Sequence, residues 1–408
     1  MRRVVVTGLG IVSSIGNNTE EVLTALRQNR SGLVFVQQMR ELGLRCSVYG
    51  PVTGWDPSTL GKRAKLTMST VAQYAAGATI EAIKDARLKE NHLHNERTGI
   101  IVGTAFGGIN EVFRIDQLMA TGKSLSRAGA TGVVKIMNST ASGNLAAYLG
   151  VQGRTYSISS AFSSGTDNIG HAFELIKYGL QDICICGAAE EDCWKQIGVS
   201  LDNWEAMPRE WNDHPTQACR PYDRDRQGTV LTEGAGILIL ETLEHAHRRG
   251  ARVYAEIIGY GSANDGAEMF RPTGLGLEGA IRQALASSSK QGEERIDYIN
   301  GHGTGTLLGD KIEAETIRKV FGNSTPPLSS TKGLTGHGMG AAGAQEAVYT
   351  LLILNHNFIA PTVNLDNIAN ECAGISHVQS PLEKDLGTVM SLSVGLGGTN
   401  SCIIFRKM

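Results

Sequence analysis

The sequence predicts an α/β protein in which helices cover both faces of a largely parallel sheet. Short β-branched runs alternate along the chain with amphipathic helical patterns, as in layered α/β folds. Several strand runs are apolar on both faces, which is typical of strands covered by helices on each side. Fifty glycines lie in scattered short clusters, and they indicate tight turns and close backbone approaches.

The predicted elements can be placed in chain order. Strands are predicted over residues 3–6, 99–102, 182–186, 236–240, 298–300 and 401–405. Helical periodicity predicts helices over residues 69–86, 168–178, 279–287 and 344–355. Near Gly250 a charged helix end leads into an apolar strand, which marks a soft boundary between two units.

Composition narrows the class of protein. The 408 residues are 41% hydrophobic and 19% charged, as in an ordinary globular protein, and the net charge of −2 argues against a general nucleic-acid binder. Seven cysteines show neither metal-ligand spacing nor a disulfide framework, so we expect no metal and a reducing cytoplasmic location. The glycine-broken run after Arg3 predicts a first strand, not a signal peptide. The sequence contains no apolar stretch of 18 residues, so we expect neither a membrane span nor a membrane partner.

Three glycine-flanked segments hold most of the residues that could carry chemistry. The segment Tyr156–Gly165 has a strand running into small residues and then a helix, a turn that presents one side chain at a helix N-terminus. Asn300–Thr306 reads NGHGTGT, and Ser330–Gly340 reads STKGLTGHGMG. A glycine-rich tail, Ser393–Asn400, closes the set, and none of these segments has the spacing of a nucleotide-binding loop.

In combination, these segments resemble the elongating β-ketoacyl-carrier-protein synthases of bacterial type I and II fatty acid synthesis. The likeness runs from VVVTGLGIVSSIGNN near the start to GGTN near the end, and so covers essentially the whole chain. It implies a thiolase-like duplicated αβαβα five-layer fold, with an N-terminal half over residues 1–250 and a C-terminal half over residues 251–408. It also implies a dimer, either of two copies or with an active ketosynthase.

The resemblance implies two neutral imidazoles, His302 and His337, which polarise a malonyl thioester and stabilise the enolate formed on decarboxylation. Lys332 matches the family lysine near the second histidine, and Glu313 matches the acid that supports it. A buried structural ion pair between Lys332 and Glu313 is an equal alternative.

Hydroxyls and glycines around these motifs are implied to bind the substrate. Thr304 and Thr306 match hydroxyls that meet the phosphopantetheine arm, and Gly397 and Gly398 belong to the GGTN loop. The arm is supplied by acyl carrier protein, so no bound cofactor is expected.

Phe162 stands where the family carries its nucleophilic cysteine. A phenyl ring cannot attack a thioester, so covalent acyl transfer at this position is excluded. Ser163 is adjacent, but neighbouring residues at a helix start point about 100° apart, and we do not expect it to substitute.

Other departures lie along the implied acyl site. The family's gating phenylalanines appear here as Val394 and Leu396, and Phe106 stands where the family tunnel wall is usually smaller. Phe162 and Phe106 together would fill the acyl pocket, or they are ordinary core aromatics.

Basic residues in several segments align with the family's rim around the tunnel mouth, where an acidic carrier protein would be steered. The alternative for each is a plain solvated charge. These residues are Arg45, Lys62, Arg63, Lys65, Lys123 and Arg127.

The departures favour the first of three functions, and the other two are its alternatives. The first is a non-nucleophilic partner of an active synthase, like a chain-length factor in polyketide systems. The second is a malonyl-carrier-protein decarboxylase that uses His302 and His337 while Phe162 imitates a bound acyl group. The third is an ordinary elongating 3-oxoacyl synthase whose cysteine has been replaced.

Overall fold

Ten strands form one mixed sheet in the computed structural model, which describes residues 1–122, 124–288 and 294–408. Together with four short strands outside this sheet, the described strands are β1 (Val4–Val12), β2 (Val34–Phe35), β3 (Val48–Tyr49), β4 (Thr98–Gly103), β5 (Thr155–Tyr156), β6 (Ile183–Glu190), β7 (Gly234–Thr242), β8 (Ala255–Asn264), β9 (Tyr298–Asn300), β10 (Leu328–Ser329), β11 (Phe358–Ile359), β12 (Leu382–Glu383), β13 (Thr388–Gly395) and β14 (Thr399–Arg406). The pairs β2–β3 and β11–β12 form two small separate sheets.

The helices alternate with these strands along most of the chain. They are α1 (Thr19–Gln28), α2 (Gln37–Glu41), α3 (Lys62–Lys65), α4 (Thr70–Ala86), α5 (Glu90–Leu93), α6 (Ile109–Ala120), α7 (Gly132–Ile136), α8 (Thr140–Leu149), α9 (Ser164–Lys177), α10 (Val199–Asn203), α11 (Leu243–Arg248), α12 (Leu275–Ser288), α13 (Leu307–Phe321), α14 (Lys332–Thr335) and α15 (Ala342–His356). Every strand and helix predicted from the sequence overlaps one of these elements, so the α/β prediction is confirmed.

The large sheet consists of two sets of five strands with the same topology. The first set lies in the order β5-β4-β6-β7-β1 and the second in the order β10-β9-β13-β14-β8. Strand directions also repeat, because β4 and β9 pair in parallel with both neighbours while β7 and β14 pair antiparallel with theirs. The sheet is therefore mixed, and the expectation of largely parallel pairing is wrong. The sets join where Val4–Val6 pairs with Ala255–Ile257.

Helices cover both faces of each set of strands. In the first set, α4 packs on β1 and β7 and α8 on β4, while in the second set α12 packs on β8 and β14. Between the two sets lie α9 and α15, which contact each other. Helix α15 is buried at every position from Ala342 to Leu354, as its nearly continuous apolar sequence requires.

The two central helices approach each other closely at glycines. A Cβ atom on Gly165 would lie 2.4 Å from the backbone nitrogen of Ala344, and one on Gly343 would lie 2.3 Å from Oγ1 of Thr166. Only glycine allows this separation, so the sequence of the middle layer is fixed where the helices cross.

Each central helix is preceded by the same strained turn. A 3-10 turn starts at Ala161 before α9, and another starts at Met339 before α15. Both first residues have a φ of 53°, in the left-handed region that residues other than glycine rarely adopt. The two sets of strands thus share both their topology and this turn geometry, while the division into residues 1–250 and 251–408 stays a prediction.

Candidate active site

A cavity of about 420 Å³ opens between loops of the two halves. Phe162 comes from the first half, and His302 and His337 come from the second half. The remaining wall of the cavity is mostly apolar and includes Leu201, Trp204, Met269, Phe270, Leu307, Leu308, Met339, Val394 and Leu396. Such a cavity, lined by apolar side chains with a few polar groups, is typical of a small-molecule site.

Phe162 occupies the strand-to-helix turn that the sequence predicts between β5 and α9. Its ring is 9% exposed, and it lies edge-on to the imidazole of His337 with centroids 5.0 Å apart. The preceding residue, Ala161, carries the positive φ. The backbone is thus strained at the point that presents residue 162 to the cavity.

His302 is held by Glu313 and Lys332. Its backbone N–H donates to the Glu313 carboxylate at 2.6 Å, and Nζ of Lys332 lies 3.5 Å from Nδ1 of its ring. Because an ammonium group donates to Nδ1, the neutral ring carries its proton on Nε2.

His302 and His337 form a second edge-on pair, with ring centroids 5.2 Å apart. Burial lowers the pKa of both rings well below the ordinary value of 6.5, and the Lys332 charge lowers each further. Within the described ranges neither ring nitrogen of His337 has a protein partner. The cavity therefore contains two neutral imidazoles, of which His337 is free to bind a ligand.

Lys332 forms an ion pair with Glu346 of α15, not with Glu313. Both side chains of the pair are almost wholly buried. Burial raises the pKa of Glu346, although the Lys332 ammonium opposes the shift. The alternative of a Lys332–Glu313 ion pair is therefore wrong.

Glu313 has a different set of partners. Its carboxylate accepts from the backbone N–H groups of His302 and Gly303 and from the hydroxyl of Tyr222. Since these donors satisfy both oxygens, Glu313 supports the His302 turn directly. The sequence analysis did not identify Glu346 as a site residue. The feature that could have indicated it is its place as the sole acidic residue of the apolar helix α15.

The two threonines of the GHGTGT segment line the cavity, with their hydroxyls 3.0 Å apart. Below them Asp310 accepts from the backbone N–H groups of Thr304 and Gly305. Burial raises the pKa of Asp310 to about 7. Glu313 and Asp310, three residues apart on α13, thus fix the whole loop that carries His302, Thr304 and Thr306.

The C-terminal glycine loop forms another part of the wall. Val394, Leu396 and Gly398 line the cavity, whereas Gly397 binds the neighbouring segment, with its N–H donating to the carbonyl of Met269. Gly395 was not singled out from the sequence. A Cβ there would lie 3.0 Å from the backbone nitrogen of Phe162, so the loop approaches the turn closely.

Phe106 belongs to the same apolar cluster as Phe162 but lies outside the cavity lining. Its loop is held by buried Glu190, whose carboxylate accepts from Thr104 Oγ1 at 2.7 Å and from the Ala105 N–H at 2.9 Å. The Gly340 N–H donates to the same carboxylate at 3.2 Å. Burial raises the pKa of Glu190 to about 7. Glu190 therefore connects the Phe106 loop to the turn that follows His337.

Two aromatic side chains meet at the mouth of the cavity. Trp204 follows α10 and Phe270 follows β8, and their ring centroids are 4.5 Å apart. Both are exposed, at 44% and 56%. Arg271 also lies in the lining and was not among the predicted cations.

The predicted basic rim is only partly near this mouth. Arg45 forms an ion pair at 3.3 Å with Asp202, whose neighbour Leu201 lines the cavity. The other described residues of the set are not part of the cavity lining. Lys62, Arg63 and Lys65 are on α3, Arg127 is exposed in the 3-10 turn Leu125–Ala128, and Lys123 lies outside the described residues.

Among residues 1–122, 124–288 and 294–408, no group of three or more His, Cys, Asp or Glu side chains is arranged to hold a metal ion. In the same ranges, no helix has both the length and the apolar composition needed to cross a bilayer.

Comparison with known proteins agrees with this architecture. The family model for the β-ketoacyl synthase N-terminal domain matches residues 1–246, and the model for the C-terminal domain matches residues 254–366. The 3-oxoacyl-[acyl-carrier-protein] synthase 1 of Escherichia coli (strain K12) is 42% identical over 410 residues, which cover all of both chains.

Two solved structures are also similar over the whole chain. The ishigamide ketosynthase/chain length factor has a TM-score of 0.91 and 32% identity, covering 100% of this chain and 99% of that one. The AntDE:AntF complex, a type II polyketide acyl-carrier protein with its ketosynthase bound to the hexaketide, has a TM-score of 0.87 and 28% identity, with the same coverage.

The thiolase-like fold implied by the sequence motifs is confirmed, with mixed strands flanked by helices in both halves. Three findings lead to one conclusion. The family models together match most of the chain, a full-length relative is 42% identical, and the cavity contains the two histidine motifs. The chain belongs to the β-ketoacyl synthase family.

Proposed function

We propose that the protein binds malonyl-acyl-carrier-protein and releases CO₂ from the malonyl group without forming an acyl-enzyme. The observation that carries this proposal is the side chain at the cavity base. Phe162, which has no nucleophilic atom, lies there against a free neutral imidazole, His337, with His302 beside it. The resemblance suggests that this position is that of the family's cysteine.

The cavity suits a phosphopantetheine arm that carries a thioester. Apolar walls from Leu307, Val394 and Leu396 would contact the chain, and the hydroxyls of Thr304 and Thr306 offer hydrogen bonds to its amides. The thioester would then lie at the base, where the histidines are. We propose a cytoplasmic location for this chemistry.

Decarboxylation at this site needs only hydrogen-bond donors. As the bond between the malonyl Cα and its carboxyl carbon breaks, the electron pair moves to the thioester carbonyl and forms an enolate. The Nε2–H of His302 and a ring N–H of His337 stabilise the enolate oxygen. CO₂ leaves, and Cα takes a proton from water to give the acetyl thioester.

Ser163 does not supply the missing nucleophile. Its side chain is fully buried, and its hydroxyl donates to the carbonyl of Ser160 at 2.7 Å and to Asp167 at 3.1 Å. Neither partner is a general base poised in the cavity, so this hydroxyl has no route to a thioester.

The test is incubation with malonyl-acyl-carrier-protein, followed by intact-mass analysis of the carrier. The wild-type protein should convert malonyl carrier to acetyl carrier, while His302→Ala and His337→Ala should lose at least about 100-fold of the rate. His247→Ala, on the exposed side of α11, is the matched control. A wild-type protein that leaves the malonyl carrier unchanged rules out the proposal.

A second candidate is a chain-length-factor-like partner of an active ketosynthase. It is favoured by α6, none of whose twelve residues is buried although Val112, Phe113 and Met119 are apolar and at least 38% exposed. Val133 on α7 is 66% exposed nearby in sequence. Such a face suits a subunit contact.

Native mass spectrometry of the protein alone and with a candidate synthase tests the partner role. A heterodimer that forms at the expense of the homodimer supports it, whereas a homodimer unchanged by every synthase tested excludes it. The two candidates are compatible, because a partner subunit can also decarboxylate. A natural cysteine codon at position 162 would instead establish the third candidate, an ordinary elongating synthase.

A further inference from the structure

A buried tyrosine lies beneath the loop that carries His302. Tyr222 is fully buried, and its φ of 63° lies in the left-handed region that bulky residues rarely adopt. A residue keeps such a backbone only where its surroundings determine it, and such residues cluster at functional sites. The contacts of Tyr222 explain why it keeps this conformation.

Tyr222 bonds to both carboxylates that hold the loop. Its backbone N–H donates to Asp310 at 2.7 Å, and its hydroxyl donates to Glu313 at 2.8 Å. Its carbonyl accepts from the N–H of Ala369 at 3.0 Å. The two carboxylates in turn accept from the backbone N–H groups of residues 302–305. One residue therefore contacts both anchors of the His302 loop.

The ring of Tyr222 also lies against the loop backbone at the residues before and after His302. A Cβ atom on Gly301 would lie 2.4 Å from the tyrosine hydroxyl oxygen, and one on Gly303 would lie 2.6 Å from the ring. His377 packs against the same ring, with centroids 4.9 Å apart. The two glycines thus let the ring approach the loop directly, and the packed ring limits how far the loop can move.

Of the three described donors to Glu313, the Tyr222 hydroxyl is the one outside the loop. Burial and the charges of Glu313 and Asp310 raise the pKa of this hydroxyl, so it stays protonated and donates. Burial also raises the pKa of Glu313, and the Gly303 N–H, the Tyr222 hydroxyl and the His302 N–H oppose this shift. A carboxylate accepts at both oxygens, whereas a carboxylic acid uses one of them as a donor. The hydroxyl therefore helps Glu313 to remain an acceptor for both loop N–H groups.

We propose that Tyr222 is a positioning residue of the decarboxylation site, which keeps the His302 ring directed at the thioester by holding the loop through Glu313. The inference rests on the proposed function and deepens it. Tyr222 does not line the cavity, so it acts through Glu313 and the loop backbone and not on the substrate. The Nε2–H of His302 must meet the enolate oxygen, and a misplacement of about 1 Å at such a donor lowers a rate by about 100-fold.

The test removes the hydroxyl and keeps the ring. Tyr222→Phe is compared with wild type by backbone hydrogen exchange, followed by peptide mass spectrometry, and by the kinetics of malonyl-acyl-carrier-protein decarboxylation. Tyr254→Phe is the matched control, because the Tyr254 hydroxyl also donates to a carboxylate, Asp85, at 3.1 Å but lies outside the cavity lining. Melting temperatures report on folding. If Tyr222→Phe does not fold, Tyr222→Met, a flexible apolar side chain without a donor, takes its place.

We expect Tyr222→Phe to speed amide exchange over residues 301–306 by at least about fivefold and to lower kcat by at least about tenfold, with KM within about twofold of wild type. Tyr254→Phe should leave all three quantities unchanged. Equal exchange of the loop in Tyr222→Phe and wild type overturns the proposal. Faster exchange with an unchanged kcat also overturns it, because the hydroxyl would then stabilise the loop without directing His302.

Hydrogen exchange needs no carrier protein, so the two proposals fail separately. A wild-type protein that does not decarboxylate would refute the proposed activity, and the exchange of the loop would still decide whether Tyr222 holds it.

Discussion

The ring of Phe162 lies edge-on to the imidazole of His337, with the planes at 82° and the centroids 5.0 Å apart. Such a T-shaped contact is one of the favoured arrangements of two uncharged aromatic rings. It also removes water from one side of His337. Phe162 thus both lacks a nucleophile and helps to keep its neighbour uncharged.

Removal of the Phe162 ring should therefore change the titration of His337. Burial is the main cause of the lowered pKa of His337, so Phe162→Ala should raise that pKa towards 6.5. Histidine NMR signals followed from pH 8 to 5 measure the shift. Phe405→Ala, in the core of β14, is the control, and an unchanged His337 titration in Phe162→Ala would contradict the prediction.

The ion pair behind His302 should be strongly coupled. Glu346→Gln leaves the Lys332 charge buried and unpaired, and the cost should be about 3–5 kcal/mol of unfolding free energy. Lys332→Met together with Glu346→Leu removes both charges and should cost less than Glu346→Gln. Urea denaturation of single and double variants measures the coupling. Additive single effects would show that the pair is not coupled.

Glu190 should make stability depend on pH. Its folded pKa of about 7 exceeds the ordinary 4.5, so the folded protein holds a proton there that the unfolded chain has lost. Stability is lost as pH rises from 4.5 through 7, by up to about 3 kcal/mol. Relative to wild type, Glu190→Gln should gain stability between pH 5 and 8. The control variant Glu20→Gln, at an exposed position, should show the same dependence of stability on pH as the wild type. If the stability of Glu190→Gln also follows the wild-type pH dependence, the prediction is refuted.

The close crossing of α9 and α15 should tolerate no side chain. Gly165→Ala would place Cβ 2.4 Å from a backbone atom of Ala344 and should cost about 1–3 kcal/mol or more. The same substitution at Gly143 of α8 meets nothing within 4 Å and should stabilise by about 0.5–1 kcal/mol. Thermal unfolding compares the two. Similar melting temperatures would mean that the crossing can relax.

Much of the site could be predicted because its motifs are short and continuous. His302, Thr304 and Thr306 share one loop that follows β9, so their order along the chain places them together. The turn at Phe162 was recognisable for the same reason, as small residues between a strand and a helix. Such local patterns depend on backbone geometry that neighbouring residues determine.

Contacts between distant segments could not be predicted in this way. Trp204 and Phe270 meet across the cavity mouth only after two long loops are folded, and neither loop has a diagnostic pattern. Lys332 was paired with the wrong acid because two buried carboxylates, Glu313 and Glu346, lie within reach in the fold. Which of them receives the ammonium depends on the N–H donors already bound to Glu313.

The repeated turn before α9 and α15 has an evolutionary consequence. Met339 repeats the backbone of Ala161, so Gly340 is the counterpart of Phe162 in the other half. A Cβ on Gly340 would lie 2.4 Å from the backbone nitrogen of Ala105 and 2.6 Å from Glu190. The turn before α15 is thus sterically barred from presenting a side chain at this position. Of the two equivalent turns, only the one before α9 can gain or lose a reactive side chain during evolution.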